Sequence, residues 1–328
     1  MINHLPALTV GILSWNRLHY LRATLESAHR CIQYPNIQWI VLDNFSREPG
    51  LAEYLKRLDW VDDLIFMESS HVGAMNEIVS RAKGDVILLW PDDMQFVVEG
   101  DWMRDCIELL MANHWIGSVG LNFQRRTTIQ QIWEKERFGW TGIKDAWSEF
   151  KRYGMRFRTQ KKIYSSRGYP MHTYGWKEDG IIGAGIASLT RTNLWKTLGR
   201  WKFDSSDRNI VDSSSGGEAE MLARWQNSRM PLQRAMPVLP VSADIITDKL
   251  GTKAKVRGDK RYGDYVPPAE GEFYYRIRKQ EDVSGLLKNN KPVSFEDFVE
   301  PIGFNLPLDE HGNLLKGGLN TSIVSSIV

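Results

Sequence analysis

An apolar run, Val86-Ile87-Leu88-Leu89-Trp90, stops at Pro91-Asp92-Asp93, and this stretch limits what the chain can fold into more than any other. Apolar residues at every position, after the turn-forming Lys83-Gly84-Asp85, suit a central strand of an α/β sheet covered on both faces. Pro91 lacks the N–H that would continue a ladder, so pairing ends there. The strand thus hands two neighbouring carboxylates to its own carboxyl end, where open α/β sheets gather ligands. Adjacent acids in such a mouth repel each other and lose hydration, and a hard divalent cation with oxygen ligands compensates both. The plainer alternative is that Asp92 or Asp93 caps a helix beginning near Glu99 to Met103.

The preceding chain supplies partners for that strand. Leu8 to Leu13 reads as a first strand, ended by Ser14-Trp15-Asn16-Arg17, and Leu18, Leu21, Leu25 and Ala28 recur at helical spacing. Ile37 to Leu42 is a second strand, closed by Asp43-Asn44-Phe45-Ser46. Strand, helix and strand within about 35 residues make a βαβ unit with a right-handed crossover. A helix over 50–58, a short strand near Leu64 to Met67 and a helix over 73–82 repeat the pattern. Further on, 102–113 reads as an amphipathic helix and 116–123 as a strand.

The 328 residues accommodate one large α/β domain with extensions, or two small domains. A net charge of +2 argues against a dedicated nucleic-acid binder, which carries a strong basic excess. Cys31 and Cys106 fall in helical segments and suggest a reducing, cytoplasmic setting without a disulfide framework. No signal peptide is expected, and no apolar run approaches the ~20 residues of a membrane span.

Four polar segments end or follow the early strands in order: Val10 to Arg17, Trp39 to Ser46, His71-Val72-Gly73-Ala74-Met75-Asn76, and Gly84 to Asp93. Their sequence and spacing resemble family 2 glycosyltransferases of the GT-A fold, over roughly residues 8–243. The resemblance implies an α/β, Rossmann-like, doubly wound mixed sheet with a C-terminal extension. It also implies an inverting enzyme that draws on a nucleoside-diphosphate sugar with Mn²⁺ or Mg²⁺. Ser14 and Asn16 match positions that meet the nucleotide, and Gly73 and Asn76 match an element beside the ribose. Asp43 matches the acid that holds the base. A carboxylate only accepts hydrogen bonds and so selects an imide N–H, which favours a UDP-sugar. Asp92 and Asp93 match the acid pair of the metal site, Asp93 as direct ligand and Asp92 toward ribose, sugar or metal. Relatives often add a histidine as third ligand, but 241–251 contains none, which leaves Asp244 or Asp248.

Four segments follow from this reading: 1–123 as the nucleotide-sugar half, 124–179 as a basic and aromatic insertion, 180–250 as the acceptor half, and 251–328 as a loop-rich extension. The insertion interleaves arginines and lysines with rings that include Trp140, which suits a glycan or lipid-linked acceptor. Acids such as Glu134 and Asp145 dilute it, so a solvated face is the alternative, with RNA binding weaker still. Small residues at Gly183 and Gly185 permit close approach of backbone to a ligand, and Ser188 to Thr190 is a strand leading to a helix capped by Thr192 or Asn193. Glu218 opens a further helix. By resemblance it stands at the catalytic base, counting back from Arg224, with Gly217 replacing the motif's first acid and Glu220 as the competing assignment. The basic stretch 252–261, with Lys253 and Arg257, reads as a lid over the diphosphate or as a solvated loop.

Assembly of a polysaccharide, glycolipid or glycoprotein, with peripheral attachment at the inner membrane face and homo-oligomerisation, fits this reading. Two rivals are a sugar nucleotidyltransferase and a non-catalytic carbohydrate-binding scaffold. The first calls for a glycine-rich first loop, which Ser14-Trp15-Asn16-Arg17 is not.

Overall fold

The computed structural model describes residues 5–16, 18–121, 162–174, 187–202, 217–228, 230, 233–244, 274–285 and 301–302. The first half runs β1 (Leu8–Ser14), α1 (Leu18–Cys31), β2 (Ile37–Asp43), α2 (Leu51–Leu55), β3 (Asp63–Phe66), α3 (His71–Arg81) and β4 (Val86–Pro91). Then come β5 (Met94–Phe96), β6 (Val98–Glu99), α4 (Trp102–Ala112), β7 (Ile116–Gly120), β8 (Lys162–Tyr164) and β9 (Pro170–Tyr174). The chain continues through β10 (Ser188–Arg191), α5 (Thr192–Leu198), α6 (Glu218–Asn227), β11 (Gln233–Pro237) and β12 (Ser242–Asp244). The last described elements are β13 (Tyr274–Tyr275), β14 (Arg278–Lys279), α7 (Gln280–Ser284) and β15 (Pro301–Ile302).

Nine strands form one sheet in the order β3-β2-β1-β4-β10-β7-β11-β9-β8. The first four are parallel, and β10 is antiparallel to both β4 and β7, so the sheet is mixed, as the sequence predicts. The unbroken apolar run of β4 has a direct cause. Val86, Leu88 and Trp90 enter the core on the side of α1 and α4, whereas Ile87 and Leu89 enter the core on the side of α3, α5 and α6. Burial on both faces removes the alternation a half-exposed strand would show. Gly11 lets α3 lie close on β1, because a β-carbon there would fall 2.3 Å from Ile78 Cγ2.

Several boundaries differ from the sequence expectation. α2 is five residues rather than nine. α3 starts at His71, two residues early, because the Ser70 hydroxyl accepts the Gly73 amide as an N-cap. α5 begins at Thr192 itself, so neither Thr192 nor Asn193 caps it. In its place the Arg191 guanidinium donates to the carbonyls of Leu110, Asn113 and Ile116, satisfying the end of α4. The end of the basic and aromatic insertion, 162–174, is a β-hairpin on the edge of the main sheet. Arg167 and Ser165 tie it to α4 through the buried Asp105.

Residues 274–285 wrap onto the body. The Gln95 amide donates to the Tyr275 carbonyl at 2.7 Å and accepts the Tyr275 amide at 2.9 Å. β14 pairs with β6, and Lys279 and Arg30 both reach Glu99. Burial raises the Glu99 pKa, but bonds from Lys279 and Arg30 outweigh it and hold the carboxyl below its usual range.

Candidate active site

The parallel strands all end on one side, and their register fixes what meets there. Ser14 lies opposite Asp43, Asp43 opposite Phe66, and Leu13 opposite Pro91. Asp43 and Asp92 therefore flank β1 on its two sides, about 10 Å apart at two strand spacings.

The loops after β1 and β2 are stitched together. Asn16, in the left-handed region at φ 44°, donates its amide to Ser46 Oγ at 2.8 Å and accepts the Arg47 amide at 2.6 Å. Asparagine tolerates that conformation because its short side chain bonds locally. Ser46 in turn gives Asp43 its amide at 2.8 Å and its hydroxyl at 2.5 Å. Burial pushes the Asp43 carboxyl above its ordinary range, and bonds from the Ser46 hydroxyl and amide draw it partway back. The spacing Asp43-x-x-Ser46 is a recognisable turn signal, but Ser46 was not among the sequence-selected site residues.

Phe45, in the same loop, was not selected either. It too is left-handed, at φ 53°, yet has no short polar side chain to offset the strain, which costs about 1–2 kcal/mol. Its ring is 59% exposed.

Asp92 and Asp93 form the two-residue turn between β4 and β5 and do not cap α4, whose N-cap is Asp101. Both are nearly inaccessible, at 3% and 2%. Thr24 of α1 donates its hydroxyl to the carbonyls of Asp92 and Met94, at 2.9 and 3.0 Å, and the Trp90 indole reaches Met94 as well. The Trp15 amide stands 3.4 Å from Asp92 Oδ2. Two buried carboxylates on a turn whose carbonyls are bonded by Thr24 and Trp90 form an all-oxygen donor set that fits a hard divalent cation. Among the described side chains no group of three His, Cys, Asp or Glu residues is arranged for a metal. The antiparallel register of β12 with β5 sets Asp244 opposite Met94, one position from Asp93. The Asp244 side chain and Asp248 lie outside the described residues.

Gly73 and Asn76 sit on α3. A β-carbon at Gly73 would fall 2.0 Å from Ser69 Oγ, so a larger residue there would turn the Ser69 hydroxyl away from the helix start. Asn76 donates to the Trp201 carbonyl at 3.0 Å and accepts the Trp201 amide at 2.8 Å. That pairing ties α3 to the turn after α5.

Ala187 donates to Leu89 and accepts from Leu121, so the chain enters β10 and leaves β7 beside the end of β4. Gly183, Gly185 and Trp140 lie outside the described residues, as do Lys253 and Arg257. Gly217, at φ 90°, is the N-cap of α6. A β-carbon there would fall 2.6 Å from the Lys202 carbonyl oxygen and 2.9 Å from Val72 Cγ2. The position where Gly217 replaces an acid thus admits only glycine, and Glu218 begins its helix beside the N-terminus of α3. The Glu218 side chain lies outside the described residues. Glu220 is engaged by Arg224 at 2.6 and 2.7 Å.

The sequence model described as Glycosyl transferase family 2 matches residues 9–174. A protein of Sinorhizobium fredii, y4gI, is 27% identical over 120 residues, which are 35% of this chain and 13% of that protein, so the chain spans a small part of the curated relative. Among solved structures, mannosyltransferase PcManGT from Pyrobaculum calidifontis, in complex with GDP-Man and Mn²⁺, is similar at a TM-score of 0.48 and 14% identity, covering 78% of this chain and 61% of that one. TarS 1–349 of S. aureus is similar at 0.43 and 11%, covering 73% and 60%.

Proposed function

The chain belongs to glycosyl transferase family 2, and from that premise we propose an inverting, metal-assisted hexosyl transfer from a nucleoside-diphosphate sugar to a hydroxyl of a glycan, glycolipid or glycoprotein. One observation carries the reading: the sheet holds Asp43 on one side of β1 and the Asp92–Asp93 turn on the other. A nucleotide lying across the end of β1 would meet an imide acceptor at one end and a cation site at the other.

Asp43 holds the base, with a preference for uracil. Its carboxylate is costly to bury ionised, and an imide N–H from the base offsets that cost. Ser14 and Asn16 shape the floor beneath the nucleoside, and Gly73 allows the chain to approach the ribose. Asn76 acts by positioning Trp201. Asp93 and Asp92 would hold Mn²⁺ or Mg²⁺, with Asp244 or Asp248 as third ligand. When bound, such an ion supplies charge neutralisation for the departing diphosphate.

Glu218 is the base. It takes the proton of the acceptor hydroxyl as that oxygen bonds to the anomeric carbon, and the bond to the diphosphate oxygen breaks on the opposite face. The start of α6 favours a carboxylate there through the helix dipole, whereas Glu220 is occupied by Arg224. The chain leaves β7 at Leu121 and enters β10 at Ala187 beside the end of β4, which supports Trp140, Gly183 and Gly185 as acceptor contacts. The chain also leaves β12 beside the acidic turn, which favours Lys253 and Arg257 as a lid over the diphosphate. No described helix is long and apolar enough to cross a membrane. A cytoplasmic enzyme attached peripherally to the inner membrane face suits a lipid-linked acceptor.

The test is the anomer released during slow donor hydrolysis. With an α-linked UDP-sugar and Mn²⁺, proton NMR at early times should show the β-anomer. Release of the α-anomer would exclude single displacement.

A further inference from the structure

We propose that Phe45 is a specificity-determining wall of the nucleotide site, stacking its ring on the donor base held by Asp43. The inference rests on the nucleotide-site reading above and goes beyond it, because Asp43 alone recognises an edge of the base and not its face. Two independent observations single out Phe45. Its backbone is left-handed at φ 53°, a conformation that glycine or asparagine would adopt with less strain. Its ring is nevertheless 59% exposed, so core burial does not offset the strain. A bulky residue in a strained conformation, contributing little to packing, marks a place where the side chain serves something outside the fold.

The loop is built to hold that conformation. Asn44 donates its amide to the Ser14 carbonyl at 2.9 Å and accepts the Ser69 amide at 2.7 Å. On the other side Ser46 is bonded to both oxygens of Asp43. Phe45 is thus fixed between two anchored residues, with its ring exposed. Two residues span no more than about 7 Å, so a base hydrogen-bonded to Asp43 falls within reach of the ring. Stacking on a fixed aromatic loses little side-chain entropy and is worth on the order of a tenfold or greater change in affinity.

The test separates base from diphosphate. Wild type, Phe45→Gly, Phe45→Ala and Phe45→Tyr are titrated calorimetrically with UDP, GDP and inorganic pyrophosphate, each with Mn²⁺. The expected result is a loss of about tenfold or more in UDP affinity for the glycine and alanine variants, with pyrophosphate binding unchanged and the tyrosine variant close to wild type. Phe45→Gly should melt no lower than wild type, since glycine relieves the strain. Unchanged UDP affinity in the glycine and alanine variants overturns the proposal and leaves the donor site standing. An equal fall in pyrophosphate affinity also overturns it, because the ring would then act through the loop. Failure of wild type to bind either nucleotide, while pyrophosphate binds, removes Asp43 as the base contact and Phe45 with it.

Discussion

The two halves of the mouth are built by different means. On the side proposed to hold the donor, Ser14, Asp43 and the Asp92–Asp93 turn each sit at the end of a parallel strand, and neighbouring strands fix their relative places residue by residue. On the side proposed to receive the acceptor, the parts come from distant segments clamped together: Asn76 to Trp201, and Gly217 against Val72 and Lys202. The donor half owes its geometry to backbone pairing, which tolerates many side chains. The acceptor half depends on single side chains and one glycine, and should fail abruptly when any of them changes.

Substitutions on the two sides should therefore behave differently. Glu218→Gln should lower transfer by on the order of a thousandfold while leaving nucleotide affinity within a few-fold, whereas Glu220→Gln should leave transfer nearly intact. A comparable loss from both variants would erase the distinction between them. Asn76→Ala should destabilise the protein by about 3 kcal/mol in chemical denaturation, because the Trp201 amide and carbonyl lose their partner inside the fold. Gly217→Ala should cost about 2 kcal/mol, from the positive φ and the close Lys202 carbonyl. If both are neutral, the acceptor half is not held by these clamps.

On the donor side, Asp43→Asn should weaken UDP binding by about 10- to 100-fold, the worth of a hydrogen bond to a charged acceptor. The same change should raise melting temperature slightly at neutral pH. Asp43 has a raised pKa, so its favourable contribution is complete below the unfolded value and is lost as pH climbs through the folded one. Glu99 has the opposite sign. Its depressed pKa stabilises the protein above the unfolded value, and the effect vanishes as pH falls through the folded one. Glu99→Gln should therefore lower stability by less than about 1 kcal/mol at neutral pH and by nothing in strong acid, read from paired melting curves.

The donor half was legible in the sequence because its signals are local. An apolar run that stops at Pro91-Asp92-Asp93 implies both a central strand and acids at its mouth. The acceptor half was less so. Nothing near Asn76 in the chain points to Trp201, 125 residues away, and the demand for glycine at Gly217 arises from the Lys202 carbonyl. Docking of 274–285 was equally opaque, since the Gln95–Tyr275 pair joins residues 180 apart. The strain at Phe45 is a backbone property, and the motif Asp43-Asn44-Phe45-Ser46 shows it only once the turn is seen.

Titration of UDP into wild type and Asp93→Asn decides whether the end of β1 carries the proposed metal-dependent nucleotide site. Binding to wild type should require Mn²⁺ and be lost in the variant, with both proteins equally folded by circular dichroism. Binding that ignores the metal, or that survives Asp93→Asn unchanged, would contradict that proposal.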